Sequence, residues 1–185
     1  LYDGRTHVCP GSIEALRDRT VTLGGMSKTF AITGWRLGYI IASSELMAAM
    51  RPIHDYLTIC APTPLQMAAV TALNLPREYY DDMLIDYHSR RDKMMGILNT
   101  IGFEAQTPEG AYYIMADYTN ISSKHSQMDS KSFAVWMTKE LRVAVVPGEV
   151  FYTTPGYGEK SVRFAFPKRL STLEAASDRL EGYFR

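Results

Sequence analysis

The chain has little that would tie it to a membrane, a metal, a polyanion or an oxidising compartment. Cysteine is scarce: Cys9 and Cys60 stand in unrelated contexts, with no CxxC pair and no framework of bridges, so both read as free thiols. Histidine is equally thin, and His7, His54, His88 and His125 fall at spacings that fit no metal site. A surplus of one charge is missing, because 20 Lys and Arg balance 20 Asp and Glu, so no nucleic-acid partner is expected. No apolar run of about eighteen residues, signal peptide, low-complexity tract or internal repeat occurs. Nothing therefore points to a membrane, and cytoplasmic is the default expectation.

What is present is a composition that is 46% hydrophobic over 185 residues, which describes a globular protein of one or two domains. A chain of this size buries about 70% of its unfolded surface, enough for a core. Gly25-Met26-Ser27-Lys28-Thr29-Phe30-Ala31-Ile32-Thr33-Gly34-Trp35-Arg36-Leu37-Gly38 is its most informative stretch, with one lysine among small and apolar residues and an arginine between glycines. Desolvation and a nearby cation both disfavour an ammonium, so Lys28 held in an apolar pocket near Arg36 would be nucleophilic at neutral pH, as a Schiff-base lysine must be. The bland alternative is a surface lysine before a turn.

Patterning gives a mixed helix and strand chain. Ser12 to Arg17 reads as a short helix capped by Ser12, Val21–Leu23 as a buried strand delivering Lys28 at its carboxyl end, and Leu37–Ala42 as a second strand. Ser43 or Ser44 caps a helix through Met50, while Pro52, Pro62 and Pro64 punctuate the next segment, and Leu65–Leu73 is a helix with an Ala-rich core face. Pro76 opens the longest helix, apolar at Tyr80, Met83, Leu84, Tyr87, Met94, Leu98 and Ile101 until Gly102 ends it, a span of roughly 37 Å. Strands over Phe103–Ala105, Gly110–Tyr118, Val143–Val146 and Val162–Phe166 alternate with a polar loop from Thr119 to Gln127 and a helix from about Ser130 to Leu141. A Ser171-Thr172-Leu173-Glu174 capping box opens the final helix. Phe133, Met137, Leu141, Leu173, Ala176 and Leu180 are expected to cover one sheet face in an α+β layer.

The stretch from Gly25 through Lys28 and Arg36 to Gly38 resembles the lysine signature of the class I and II pyridoxal-phosphate-dependent aminotransferases, of the aspartate aminotransferase kind. Pro108-Glu109-Gly110-Ala111-Tyr112-Tyr113, Val146-Pro147-Gly148-Glu149-Val150-Phe151 and Val162-Arg163-Phe164-Ala165-Phe166 extend the likeness over essentially the whole chain, each weak alone but in family order. The resemblance implies an α/β fold comprising the C-terminal part of the large pyridoxal-phosphate domain, residues 1–96, then a smaller α+β domain, residues 97–185, joined by the long helix. It implies that Lys28 carries the cofactor as a Schiff base, that Arg36 binds its phosphate, and that Ser27 and Gly25 belong to the cofactor site. Many members have a phosphate-binding serine where this chain has Gly25, which leaves only a backbone N–H there.

The same resemblance carries further expectations. The matching arginine, Arg163, grips the substrate's α-carboxylate; without the motif it reads as a strand arginine paired with Glu159 or Asp117. The start at Leu1-Tyr2-Asp3-Gly4 lies a few residues after the family's ring-binding Asp and Tyr, so the chain is expected to be a C-terminal half. The implied activity is amino transfer between an amino acid and a 2-oxo acid, in a homodimer. The donor amino acid is open, since Thr58–Thr63 lacks the side-chain arginine of some acidic-substrate members. A carbon–sulfur lyase or aminocyclopropane-carboxylate synthase reaction on the same cofactor, and a non-catalytic fragment or interaction module, are the alternatives.

Overall fold

The structure is a computed structural model that describes residues 1–121 and 124–184. It divides into two compact units, Thr6–Tyr79 and a second made of Leu1–Arg5 with Tyr80–Arg185.

In the first unit, turns at Pro10–Ser12 and Glu14–Arg17 (α1) precede the strand β1, Thr22–Gly25. A single helical turn, α2 (Met26–Thr29), and a 3-10 turn, Thr33–Trp35, lead to β2, Gly38–Ile41. The two strands pair antiparallel, from Thr22 opposite Ile41 to Gly25 opposite Gly38. Helices α3 (Ser44–Thr58) and α4 (Thr63–Leu73) come next. Ser43 caps α3 by accepting from the Leu46 N–H at 3.4 Å. The core is small: Met26, Leu37 and Ala69 are buried, with Phe30, Ile32, Ala61, Leu65 and Ala72 against them.

Several sequence expectations fail here for identifiable reasons. The strand expected over Val21–Leu23 is not buried, since Leu23 is 74% exposed and every residue of β2 is exposed. Its sheet has two strands, which together offer too few neighbours to cover either face. Pro52 lies inside α3 rather than ending it, the helix running on to Thr58. Ser12 does not cap α1; its hydroxyl donates to the Cys9 carbonyl at 2.7 Å, and Ile13 occupies the cap. The Ala-rich face of α4 does turn inward, with Ala69 buried and Ala72 packed on the core.

Helix α5 runs from Arg77 to Thr100 and belongs to the second unit from Tyr80 onward. The expected boundary near Gly96 differs from this division, because Arg91, Met94, Met95, Ile97 and Leu98 already lie buried in the second unit. Gly102, at φ +86°, ends the helix, with the Phe103 N–H bonded to the Leu98 carbonyl and the Gly102 N–H to that of Asn99.

Strands β3 (Glu104–Ala105), β4 (Tyr113–Asp117), β5 (Val146–Pro147) and β6 (Ser161–Ala165) form an antiparallel sheet ordered β3-β4-β6-β5. Ile114 and Ala116 of β4 and Val162 and Phe164 of β6 point into one core. They meet α5, α6 (Ser130–Trp136), a π turn at Met137–Leu141 and α7 (Leu170–Phe184) through Leu98, Phe133, Met137, Leu141, Leu173 and Leu180. Asp129 caps α6 by accepting from Ser132. The capping box at Ser171 does not form, because α7 starts at Leu170 and Ser171 is inside it. The loop expected over residues 119–127 contains a 3-10 turn at Lys124–Gln127, and its residues 122 and 123 lie outside the described residues.

Candidate active site

In the first unit the β1–β2 ladder ends on the pair Gly25 and Gly38, and the Met26 N–H extends it by one bond to the Leu37 carbonyl at 3.2 Å. Burial of the Met26 and Leu37 side chains pins both feet of the loop between them. Lys28 and Arg36 are therefore carried on one closed loop. Inside it the Thr33 hydroxyl donates to the Ser27 carbonyl at 3.1 Å, and the Arg36 Nη1 donates to the Thr33 carbonyl at 2.8 Å. Arg36 sits at φ +55° and Ala31 at +54°, left-handed conformations that cost a non-glycine residue about 1–3 kcal/mol and survive where the surroundings hold them. A Cβ on Gly25 would meet nothing within 4 Å, so its backbone is open to close approach.

Lys28 is exposed, as is Arg36, and Ser27 is half-buried. The apolar enclosure expected around Lys28 is not supplied by these residues, because the core beneath the loop ends at Met26 and Leu37. The loop offers two exposed cations and a bare glycine backbone, a donor set that suits a phosphorylated ligand with an amine-reactive group.

Arg163 belongs to the second unit. It points away from the core, on the same sheet face as Tyr113, Met115 and Asp117, and lies opposite Met115 and Val146. Pairing with Glu159 or Asp117, the bland expectation, is not what holds it. Its guanidinium carbon is 3.9 Å from the centre of the Tyr113 ring and 4.5 Å from that of Phe151. Its Nε is buried and has no hydrogen-bond partner, a state that costs about 1–3 kcal/mol if nothing fills it. The same face opens into a groove of about 830 Å³ lined in part by Tyr113, Met115, Asp117, Tyr152 and Ser161.

Neither ring was legible as a partner of Arg163. Both residues lie in the motifs around Tyr113 and Phe151, but their contact depends on the β4–β6 register and on the 3-10 turn Gly148–Phe151. Glu149 anchors that turn, its carboxylate accepting from Ser130 at 2.9 Å and from Lys131 at 2.7 Å. The Lys131 ammonium beside it, helped by the Ser130 hydroxyl, holds the Glu149 carboxyl below the usual range.

A second cluster gave no signal in the sequence. Arg91 is 3% exposed, bonds both carboxylate oxygens of Asp3 at 2.6 and 3.1 Å, and donates to the Pro108 carbonyl at 3.1 Å. Its guanidinium also lies 4.7 Å from the centre of the Tyr2 ring. The bond from Arg91 holds the Asp3 carboxyl low, and Asp3 in turn pushes Arg91 up. The Tyr2 N–H reaches the Glu109 carbonyl at 2.9 Å, and its hydroxyl reaches that of Ala111. Residues 1–5 thereby set the turn that leads into Tyr113.

The family model for class I and II aminotransferases matches residues 9–180. Among curated relatives, the methionine aminotransferase of Escherichia coli is 36% identical over 165 residues, covering 89% of this chain and 42% of that protein. The aspartate aminotransferase of Pyrococcus abyssi is 36% identical over 187 residues, covering 100% of this chain and 46% of the relative. The solved structure of YbdL from Escherichia coli, described as having a methionine aminotransferase function, superposes with a TM-score of 0.88 at 33% identity, over 97% of this chain and 46% of that one. The chain thus spans about half the length of the relatives it matches. With a single model matched from Cys9 almost to the end and a fold shared at this level of identity, the chain belongs to the class I and II aminotransferase family.

Proposed function

We propose that this chain is the C-terminal part of a pyridoxal-phosphate-dependent aminotransferase that moves an amino group between an amino acid and a 2-oxo acid. The observation that carries the reading is the closed loop that bears Lys28 and Arg36 together between the paired glycines. In this reading Thr6–Tyr79 belongs to the cofactor-binding domain, and Tyr80–Arg185 with Leu1–Arg5 forms the smaller α+β domain. The complete protein is a cytoplasmic homodimer.

Pyridoxal phosphate, when bound, supplies the electron sink that acidifies the substrate's α-carbon. Lys28 would hold it covalently, and its amine, when free, would carry the proton from the substrate's α-carbon to the C4′ carbon of the cofactor. Arg36 binds the phosphate, with the Gly25 backbone and Ser27 beside it. Arg163 takes the substrate carboxylate, which gives its buried Nε the acceptor it lacks and orients the α-carbon. The transaminase names of the reported relatives favour amino transfer over a carbon–sulfur lyase or cyclopropane-forming reaction on the same cofactor.

The test uses the full-length protein that contains this chain. It should show the absorbance of a lysine-bound cofactor and form pyridoxamine phosphate with an amino acid, without stoichiometric release of pyruvate and ammonia. Lys28→Ala should lose that absorbance, and Lys28→Arg should not restore it, since a guanidinium stays protonated. A borohydride-reducible adduct that survived in Lys28→Ala would overturn the assignment.

A further inference from the structure

We infer that Tyr113 and Phe151 are positioning residues that act through Arg163: two rings fix the plane of its guanidinium and leave its edge for a carboxylate. The inference rests on the reading of Arg163 as the carboxylate-binding arginine, and it concerns how that arginine is held. Both rings lie within the reach of a cation–π contact, at 3.9 and 4.5 Å from the guanidinium carbon. No ring contact joins Tyr113 to Phe151 among the described residues, so the two rings approach the same carbon from different directions. What they leave unpaired is the Nε–H donor on the guanidinium rim, buried without an acceptor.

The rim is where a planar carboxylate binds, because two parallel N–H bonds in the guanidinium plane match its two oxygens. Carboxylates of this chain do not already fill it: among the described residues Arg163 forms no ion pair, and its Nε donor is buried without an acceptor. The rings thus do what a structural salt bridge usually does, which is to keep an arginine from sampling other rotamers, without occupying its donors. A salt bridge would have to be broken before substrate entered.

The two rings are delivered independently. Tyr113 shares the outer face of β4 with Met115, the cross-strand partner of Arg163, and a diagonal neighbour in a sheet is within reach of an aromatic side chain. Phe151 ends the 3-10 turn that Glu149 ties to Ser130 and Lys131. At 45% exposed, Phe151 contributes little to the core, so its burial does not account for an aromatic residue there.

The experiment titrates the 185-residue chain and each variant with propionate, a carboxylate with no amino group, and follows the backbone amide resonances of β4 and β6 by NMR. Amino-donor KM and kcat in the full-length protein give a second readout. Phe151→Leu should weaken propionate binding and raise KM about five- to tenfold with kcat changed less, the loss of one cation–π contact. Phe151→Tyr, which keeps the ring, should stay within about twofold of the parent. Arg163→Lys should weaken binding further, and adding Phe151→Leu to it should change little, because a ring that acts through the guanidinium plane has nothing left to orient. If Phe151→Leu binds like the parent, or costs as much in the Arg163→Lys background as alone, the positioning role is wrong while the role of Arg163 stands. If Arg163→Lys itself binds propionate like the parent, both fall.

Discussion

Gly148 and Gly158 pack backbone to backbone: a Cβ on Gly148 would stand 2.7 Å from the Gly158 carbonyl oxygen, and one on Gly158 would stand 2.6 Å from the Gly148 carbonyl carbon. Gly158 also holds φ +76°, and its carbonyl accepts from the Ser161 N–H at 3.1 Å where β6 begins. The contact seats the turn bearing Phe151 against the strand bearing Arg163. Gly148→Ala should therefore lower stability by about 1–3 kcal/mol, the usual cost of overpacking, and should weaken carboxylate binding with it. A denaturant midpoint unchanged from the parent would count against this packing.

Tyr118 is fully buried, stacks on Phe133 at 3.8 Å between ring centres, and directs its hydroxyl at the Met128 and Glu159 carbonyls, 3.0 and 2.9 Å away. Phe133→Ala should cost about 3–5 kcal/mol, as truncation of a buried aromatic does. Tyr118→Phe keeps the stack and loses only the hydrogen bond, about 0.5–1.5 kcal/mol. Urea unfolding of the pair measures the difference, and equal losses would show that the ring stack is not the main contribution.

Acid should destabilise the second unit in a defined window. Glu149, Asp129 and Asp3 all have carboxyls held below their ordinary range, chiefly by bonds from Lys131, Ser132 and Arg91 respectively. A depressed folded-state pKa means the unfolded chain takes up protons first, so this stability is present above about pH 4 and is lost as pH falls through the lower folded values. Glu149→Gln should flatten the fall in Tm below about pH 4 and leave the neutral region nearly parallel to the parent. An unchanged acid slope would remove Glu149 from the account.

The first unit should open before the second. Its core holds Met26, Leu37 and Ala69, whereas α5, α6, α7 and the four-stranded sheet of the second unit share one large cluster. Amides of β1 and β2 should exchange with solvent well ahead of those in β4 and β6. The first unit also exposes Leu23 (74%), Ile53 (62%), Tyr56 (95%) and Leu57 (80%), an apolar surface that invites association. The 185-residue chain should exceed its monomer mass by light scattering, and Ile53→Lys with Leu57→Glu should bring it down. A monomeric parent chain would contradict this.

Local sequence determined the elements whose causes are local. The later part of the α5 stripe (Tyr87, Met94, Leu98 and Ile101) and its Gly102 stop, the inward stripes of α6 and α7, and the alternation in β4 and β6 stand where patterning put them, because each arises from neighbours a few positions apart, whereas Leu84 of the same stripe is exposed. The loop from Gly25 to Gly38 was legible for a related reason, since its glycines and cations work through a short stretch of backbone. Tertiary structure alone decided what surrounds those groups. Burial of Val21–Leu23 failed because a strand is buried only if other layers reach it, and Lys28 is exposed for the same reason. Arg163 has ring partners rather than a carboxylate because β4 pairs with β6 in one particular register and a glycine–glycine contact holds Phe151 in reach. Arg91 is buried because Asp3, far away in the chain, folds back onto it. Such contacts carry no periodic or spacing signal, so they come into being only when the chain closes on itself.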